Sequence, residues 1–167
     1  MVLFQGLSAA TAVILGNELG AGKIKRAEKY ATQFFILQFI VTIASAFVVI
    51  GIRGPLIGLY NITEAVGRDV NICILIFACY MPAKMFNYVN VVGVLRSGGD
   101  TKMCLFLDTS GVWCIGVPLA FLGALVWHLP IYVVYGLVML EEVYKAVLGY
   151  IRYRQKKWLR NLTVQVR

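Results

Sequence analysis

Long apolar stretches, separated by short clusters of glycine and charge, make up most of the chain. They run over residues 2–16, 27–50, 70–93, 103–127 and 131–151. Each of the last four holds about 21 to 25 residues, the length at which a helix crosses a hydrocarbon core of about 30 Å with modest tilt. The first covers only about 22 Å at 1.5 Å per residue, so it is read as a partial span. A membrane strand would alternate apolar and polar residues over about 10 positions. Segments such as 34–52 are instead apolar on every face. In lipid that pattern means helix, which satisfies its own backbone hydrogen bonds. The expected fold is therefore all-α integral membrane, four complete transmembrane helices plus one partial, followed by a basic tail over 152–167.

Composition agrees, with 60% apolar and 14% charged residues; a soluble domain would be nearer half apolar and a quarter charged. The net charge of +8 does not point to nucleic acid, because the cations sit in short clusters between apolar blocks and form no basic face with interleaved aromatics. Their distribution speaks of orientation instead. Lys23, Lys25, Arg26, Lys29, Arg96, Lys102, Arg152, Arg154, Lys156, Lys157, Arg160 and Arg167 fall on one side, and only Arg53 and Arg68 on the other. Cations favour the inner face, so the tail is expected in the cytoplasm and the chain in the plasma membrane, with membrane lipids as partners. Tyr60, Trp127, His128 and Tyr132 mark the opposite edge, where amphipathic rings favour the headgroup level. The tail, with its single Trp158, is expected to lie along the inner surface, drawn there by anionic lipid.

Several motifs are set aside. Cys73, Cys79, Cys104 and Cys114 lie inside apolar blocks without a C-x-x-C pair, and are read as small buried apolar residues. No basic region precedes the first apolar run as a cleavable signal requires. Asn61-Ile-Thr63 and Asn161-Leu-Thr163 are taken as chance sequons. Gly20-Ala-Gly22-Lys23 lacks phosphate-loop spacing and a preceding strand. Neither nucleophile–base arrangement nor metal-ligand spacing is found, so no enzyme, metal or cofactor is expected.

Two glycine-rich connections carry more information. Gly16-Asn-Glu-Leu-Gly-Ala-Gly22 and Leu95-Arg-Ser-Gly-Gly-Asp-Thr101 suit tight turns between antiparallel helices. Gly16, Gly20 and Gly22 are expected to end one helix and let the next begin. Arg96, Gly98, Gly99 and Asp100 form the second hinge or gate loop, with Asp100 or Thr101 capping the following helix. The first run resembles the turn after the eighth helix of the multidrug and toxic compound extrusion (MATE) transporters. Val94 to Thr101, then Asp108 and Val117-Pro-Leu-Ala120, resemble their tenth-to-eleventh helix region. Three blocks in order, inside a matching topology, cover nearly the whole chain.

This resemblance implies part of the C-terminal six-helix lobe of a twelve-helix transporter, partnered by an N-terminal lobe that the sequence does not include. It also implies alternating access, with small organic cations or amphiphiles expelled against protons or sodium. A lipid-linked sugar flippase and a non-transporting remnant of a truncated gene are the alternatives. In several relatives the coupling acids lie in the first, seventh and tenth helices. Around the matching position of the tenth this chain holds Lys84 and Met85, not an acid.

Ionisable groups inside membrane helices are costly and usually face a cavity or one another. Lys84, Asp108, Glu141, Glu142 and Lys145 qualify. Lys145 is within helical reach of both glutamates. Lys84 is expected to pair with Asp108 or with the other glutamate. Lys84, Asn87, Asn90, Asp108 and Glu141 are the candidate pathway residues, the asparagines lining the cavity or bonding to adjacent helices. Pro82 and Pro118 are expected to kink their helices.

Overall fold

A computed structural model describes residues 2–159. Arg160, Arg167 and the second sequon lie outside the described residues. The described residues are mostly helical: α1 (Val2–Gly20), α2 (Ile24–Gly58), α3 (Glu64–Asn87), α4 (Thr101–Gly111), α5 (Val117–Phe121) and α6 (Ile131–Arg154). α3 runs without a break into a π-helical stretch, Tyr88–Leu95, and two more such stretches, Val112–Gly116 and Leu122–Val126, flank α5.

Four spans are long and apolar enough to cross a membrane: Val2–Gly20, Ile24–Gly58, Glu64–Leu95 and Thr101–Val126. α6, at 24 residues, is also long enough, but it carries Glu141, Glu142 and Lys145. The chain is thus a multi-pass, all-α membrane protein.

The first span differs from the expectation. α1 holds 19 residues and runs straight through Gly16. An interior glycine costs a helix only about 1 kcal/mol relative to alanine, too little to stop an apolar run in lipid. What stops it is Gly22, at φ 73. Lys23 N–H donates to the Glu18 carbonyl at 2.9 Å and Gly22 N–H to the Leu19 carbonyl at 3.0 Å, a Schellman turn. The α3–α4 connection repeats it, with Gly99 at φ 76 and Asp100 N–H on the Leu95 carbonyl at 3.0 Å. Of the seven loop residues singled out in the sequence, only Gly22 and Gly99 have left-handed backbones; Gly20 is the last helical residue of α1. α2 also overruns its predicted end, continuing through Pro55 to Gly58.

The principal core lies at the end of the bundle where α1 meets α2 and α3 meets α4. Leu15, Leu19, Ala27, Ala31, Val94, Leu95 and Leu107 pack there around Trp158. For residues 155–159, that placement overturns the expectation of a tail lying along the membrane surface. Trp158 is 1% exposed, stacked on Tyr153 at 5.7 Å, with its ring N–H donating to the Tyr153 carbonyl at 3.3 Å. A bulky ring gains more from a closed apolar pocket than from a half-wet interface. Phe4, Met81 and Met85 form a second, smaller cluster; along α2 most apolar side chains point outward, and only 11% of its most apolar stretch is buried. Cys79 and Cys114 share that outward direction, and Cys104 alone of the four cysteines is fully buried.

Candidate functional site: a buried ionic network between α3 and α6

Lys84 and Asn87 lie three apart on α3, one face of a helix. They meet α6 at Glu142. Lys84 Nζ is 3.1 Å from Glu142 Oε1, and Asn87 Nδ2 donates to Oε2 at 2.9 Å and to the Glu142 carbonyl at 2.8 Å. Lys145 Nζ lies 3.5 Å from Glu142 Oε2 and 3.3 Å from Glu141 Oε1. Two lysines and two glutamates therefore form one network of zero net charge, the arrangement that makes charge tolerable in a low-dielectric interior. Side-chain exposure rises from 6% at Glu142 through 11% at Lys145 and 14% at Glu141 to 23% at Lys84. Glu142 is the hub, and Lys84 is its most open member.

The neighbouring span is shaped to admit these groups. A Cβ on Gly111 would stand 3.0 Å from the Lys145 side chain, and one on Gly116 would collide with the Glu141 carboxylate. These glycines bracket the π-helical stretch Val112–Gly116, which leads directly into Pro118. Pro118 sits in the first turn of α5, where a missing N–H is least costly. Pro82 remains inside α3. The π-helical carbonyls find side-chain donors on other helices: Ser8 Oγ donates to Tyr88 at 3.1 Å and Cys104 Sγ to Val91 at 3.3 Å.

The other candidates separate. Asp108 is exposed on α4, and among the described residues Lys84 pairs with Glu142, not with Asp108. Asn90 is fully buried beside Gly149 of α6, with neither amide atom hydrogen-bonded among the described residues. Asp100 makes no side-chain cap to α4. Its carboxylate instead grips Arg152 through two bonds, Nε to Oδ2 at 2.5 Å and Nη2 to Oδ1 at 2.9 Å. A charge-assisted fork of this kind outcompetes a neutral backbone donor. Gly98 lies under Trp158, where a Cβ would strike the Trp158 carbonyl. Arg96 is exposed. Glu142 itself was weighed only as a structural partner in the sequence. The signal that favours it is periodicity, because Glu142, Lys145 and Gly149 recur on one stripe of α6.

A family model described as MatE matches residues 1–122. The uncharacterized transporter YisQ of Bacillus subtilis (strain 168) is 21% identical over 92% of the chain and 33% of its own length. Multidrug and toxin extrusion protein 1 of Homo sapiens is 25% identical over 87% of the chain and 26% of its own length. Multidrug resistance protein MdtK of Yersinia pseudotuberculosis serotype O:1b (strain IP 31758) is 28% identical over 72% of the chain and 26% of its own length. The chain thus spans a third or less of the length of these curated relatives. No solved structure matches it.

Proposed function

Because the chain belongs to the MatE family, we propose that it forms part of the C-terminal lobe of a twelve-helix secondary-active exporter. The exporter expels cationic or amphiphilic organic compounds in exchange for protons or sodium, by alternating access between two lobes. The charge bias supports a plasma-membrane orientation with the basic end in the cytoplasm. The names of the relatives support multidrug efflux.

One observation carries the site assignment. Lys84 is the least shielded charge of the network, and a single 3.1 Å contact ties it to a carboxylate that Asn87 and Lys145 also hold. A cation arriving at Glu142 can displace Lys84 without stranding the carboxylate, since two other donors remain on it. The network then acts as an exchangeable counter-ion inside the membrane. Its zero net charge speaks against the wide basic cavity expected of a lipid-linked sugar flippase.

The test is gradient-driven efflux of a cationic dye from proteoliposomes holding the transporter that contains this chain. Lys84→Met and Glu142→Gln are expected to slow efflux at least severalfold at unchanged reconstituted amounts, whereas Arg53→Gln, far from the network, leaves it unchanged. Efflux indifferent to both network variants would remove the site assignment. An absence of gradient-driven efflux in the unmodified protein would remove the transport assignment.

A further inference from the structure

A cavity of about 550 Å³ opens at the basic end of the bundle, outside the ionic network. Glu28, Thr32 and Phe35 of α2 line one side; Tyr153, Arg154 and Lys156, at the end of α6 and just beyond it, line the other. A second, apolar groove of about 500 Å³ shares Thr32 and Phe35 with it. That groove continues down α2 past Ile36, Phe39 and Ile40 to Pro82 of α3. A polar chamber thus opens into an apolar channel along one helix. From Glu28 to Ile40 the helix rises about 18 Å, close to the half-thickness of a hydrocarbon core of about 30 Å.

From this geometry we infer a binding site for one anionic glycerophospholipid, its phosphodiester in the chamber and an acyl chain in the groove. The charges match a single phosphodiester. Lys156 and Glu28 neutralise one another at 2.6 Å. Arg154 remains as the uncompensated cation. Its guanidinium stands 5.9 Å over the Tyr150 ring, and its one hydrogen bond among the described residues, Nη1 to the Tyr150 hydroxyl, is 3.5 Å long. Of its five N–H donors, the rest are available to a phosphate oxygen. The groove walls are of the right kind, with Ile36 57%, Phe39 55% and Ile40 59% exposed. The same charge balance selects against free phosphate, because a dianion would meet the Glu28 carboxylate and would leave the apolar groove unfilled. This site stands on the membrane reading of the chain and is independent of the transport assignment.

Native mass spectrometry of the full chain, released from detergent containing equal phosphatidylglycerol and phosphatidylcholine of the same acyl chains, tests the site. One phosphatidylglycerol is expected to be retained over phosphatidylcholine. Arg154→Gln is expected to lower that retention about fivefold, the worth of one interfacial cation, and Arg154→Lys to restore most of it. Lys102→Gln removes a cation from the same end of the molecule but away from the chamber, and leaves retention unchanged. Ile36→Trp fills the groove and also lowers retention, with the melting curve as the check that the bundle stays folded. Equal retention of the two lipids, equal effects of Arg154→Gln and Lys102→Gln, retention unaffected by Ile36→Trp, or displacement by millimolar inorganic phosphate each overturns the proposal.

Discussion

Glu141 and Glu142 are chemically identical neighbours with unequal surroundings. Glu142 answers both lysines and Asn87, whereas Glu141 answers Lys145 alone. Glu142→Gln leaves the buried Lys145 and the half-buried Lys84 with one carboxylate between them, and breaking a buried pair in this way costs about 3–5 kcal/mol. Glu141→Gln leaves Lys145 on Glu142 and costs about 1 kcal/mol. Denaturant titration of the two variants in detergent should show that ordering, and equal losses would contradict the hub assignment. The double variant Lys84→Met/Glu142→Gln should lose less than the sum of its parts, because each change removes the penalty left by the other. Gly98 makes a separate case. Any Cβ there meets the Trp158 backbone, so Gly98→Ala must shift the segment Gln155 to Leu159, a strap across the end of the bundle, at about 1–3 kcal/mol. A melting temperature unchanged by Gly98→Ala would show that the strap does not sit there.

At the scale of the element, helix ends and helix widths follow different rules. The ends obey backbone stereochemistry: α1 stops at Gly22 and the α3 span at Gly99, because only these positions adopt positive φ at their turns. Alanine at either position carries a left-handed penalty of about 1–2 kcal/mol; alanine at Gly16, where a Cβ meets nothing within 4 Å, should be neutral or slightly stabilising. Thermal unfolding of Gly16→Ala and Gly22→Ala, side by side, checks this opposite response. The widths obey packing. The π-helical stretches occur where glycine faces another helix, Gly93 against Thr11 of α1 and Gly116 against Glu141 of α6. Extra residues in the turn there bring backbone and neighbour together, and side-chain donors compensate the loosened carbonyls.

For the molecule as a whole, the end of α6 and the strap that follows it, Gln155 to Leu159, join elements far apart in the chain. Trp158 closes the core, Arg152 clasps Asp100 in the α3–α4 turn, and Lys156 reaches Glu28 on α2. Trp158→Ala should cost about 3–5 kcal/mol, as for a buried aromatic, and should speed tryptic cleavage after Arg154 and Lys156 in mild detergent by loosening the backbone that carries them. A cleavage rate unchanged by Trp158→Ala would show that the ring does not hold the strap down. Orientation belongs to this scale as well. In a cysteine-free background, a cysteine replacing Glu64 should react with an impermeant reagent in sealed cells, whereas one replacing Lys102 should stay protected. The reverse pattern would invert the membrane topology and move the lipid site to the opposite leaflet.

Sequence alone determined that this chain is a helical membrane protein, roughly where its spans lie, and that Lys84, Glu141, Glu142 and Lys145 lie within them, though it set Asp108, which is exposed, beside them. Each of those is a property of one segment measured against a bilayer of given thickness and polarity, and no neighbour is needed to read it. The pairing of Lys145 with both glutamates was also legible, since one helical turn separates them. Tertiary structure decided the rest. Lys84 found Glu142 because α3 and α6 are rotated to face each other, a relation between residues 58 apart that no local period encodes. Trp158 turned inward because Leu15, Leu19, Ala27 and Leu95, brought together from three spans, form an apolar pocket that only the assembled helices create.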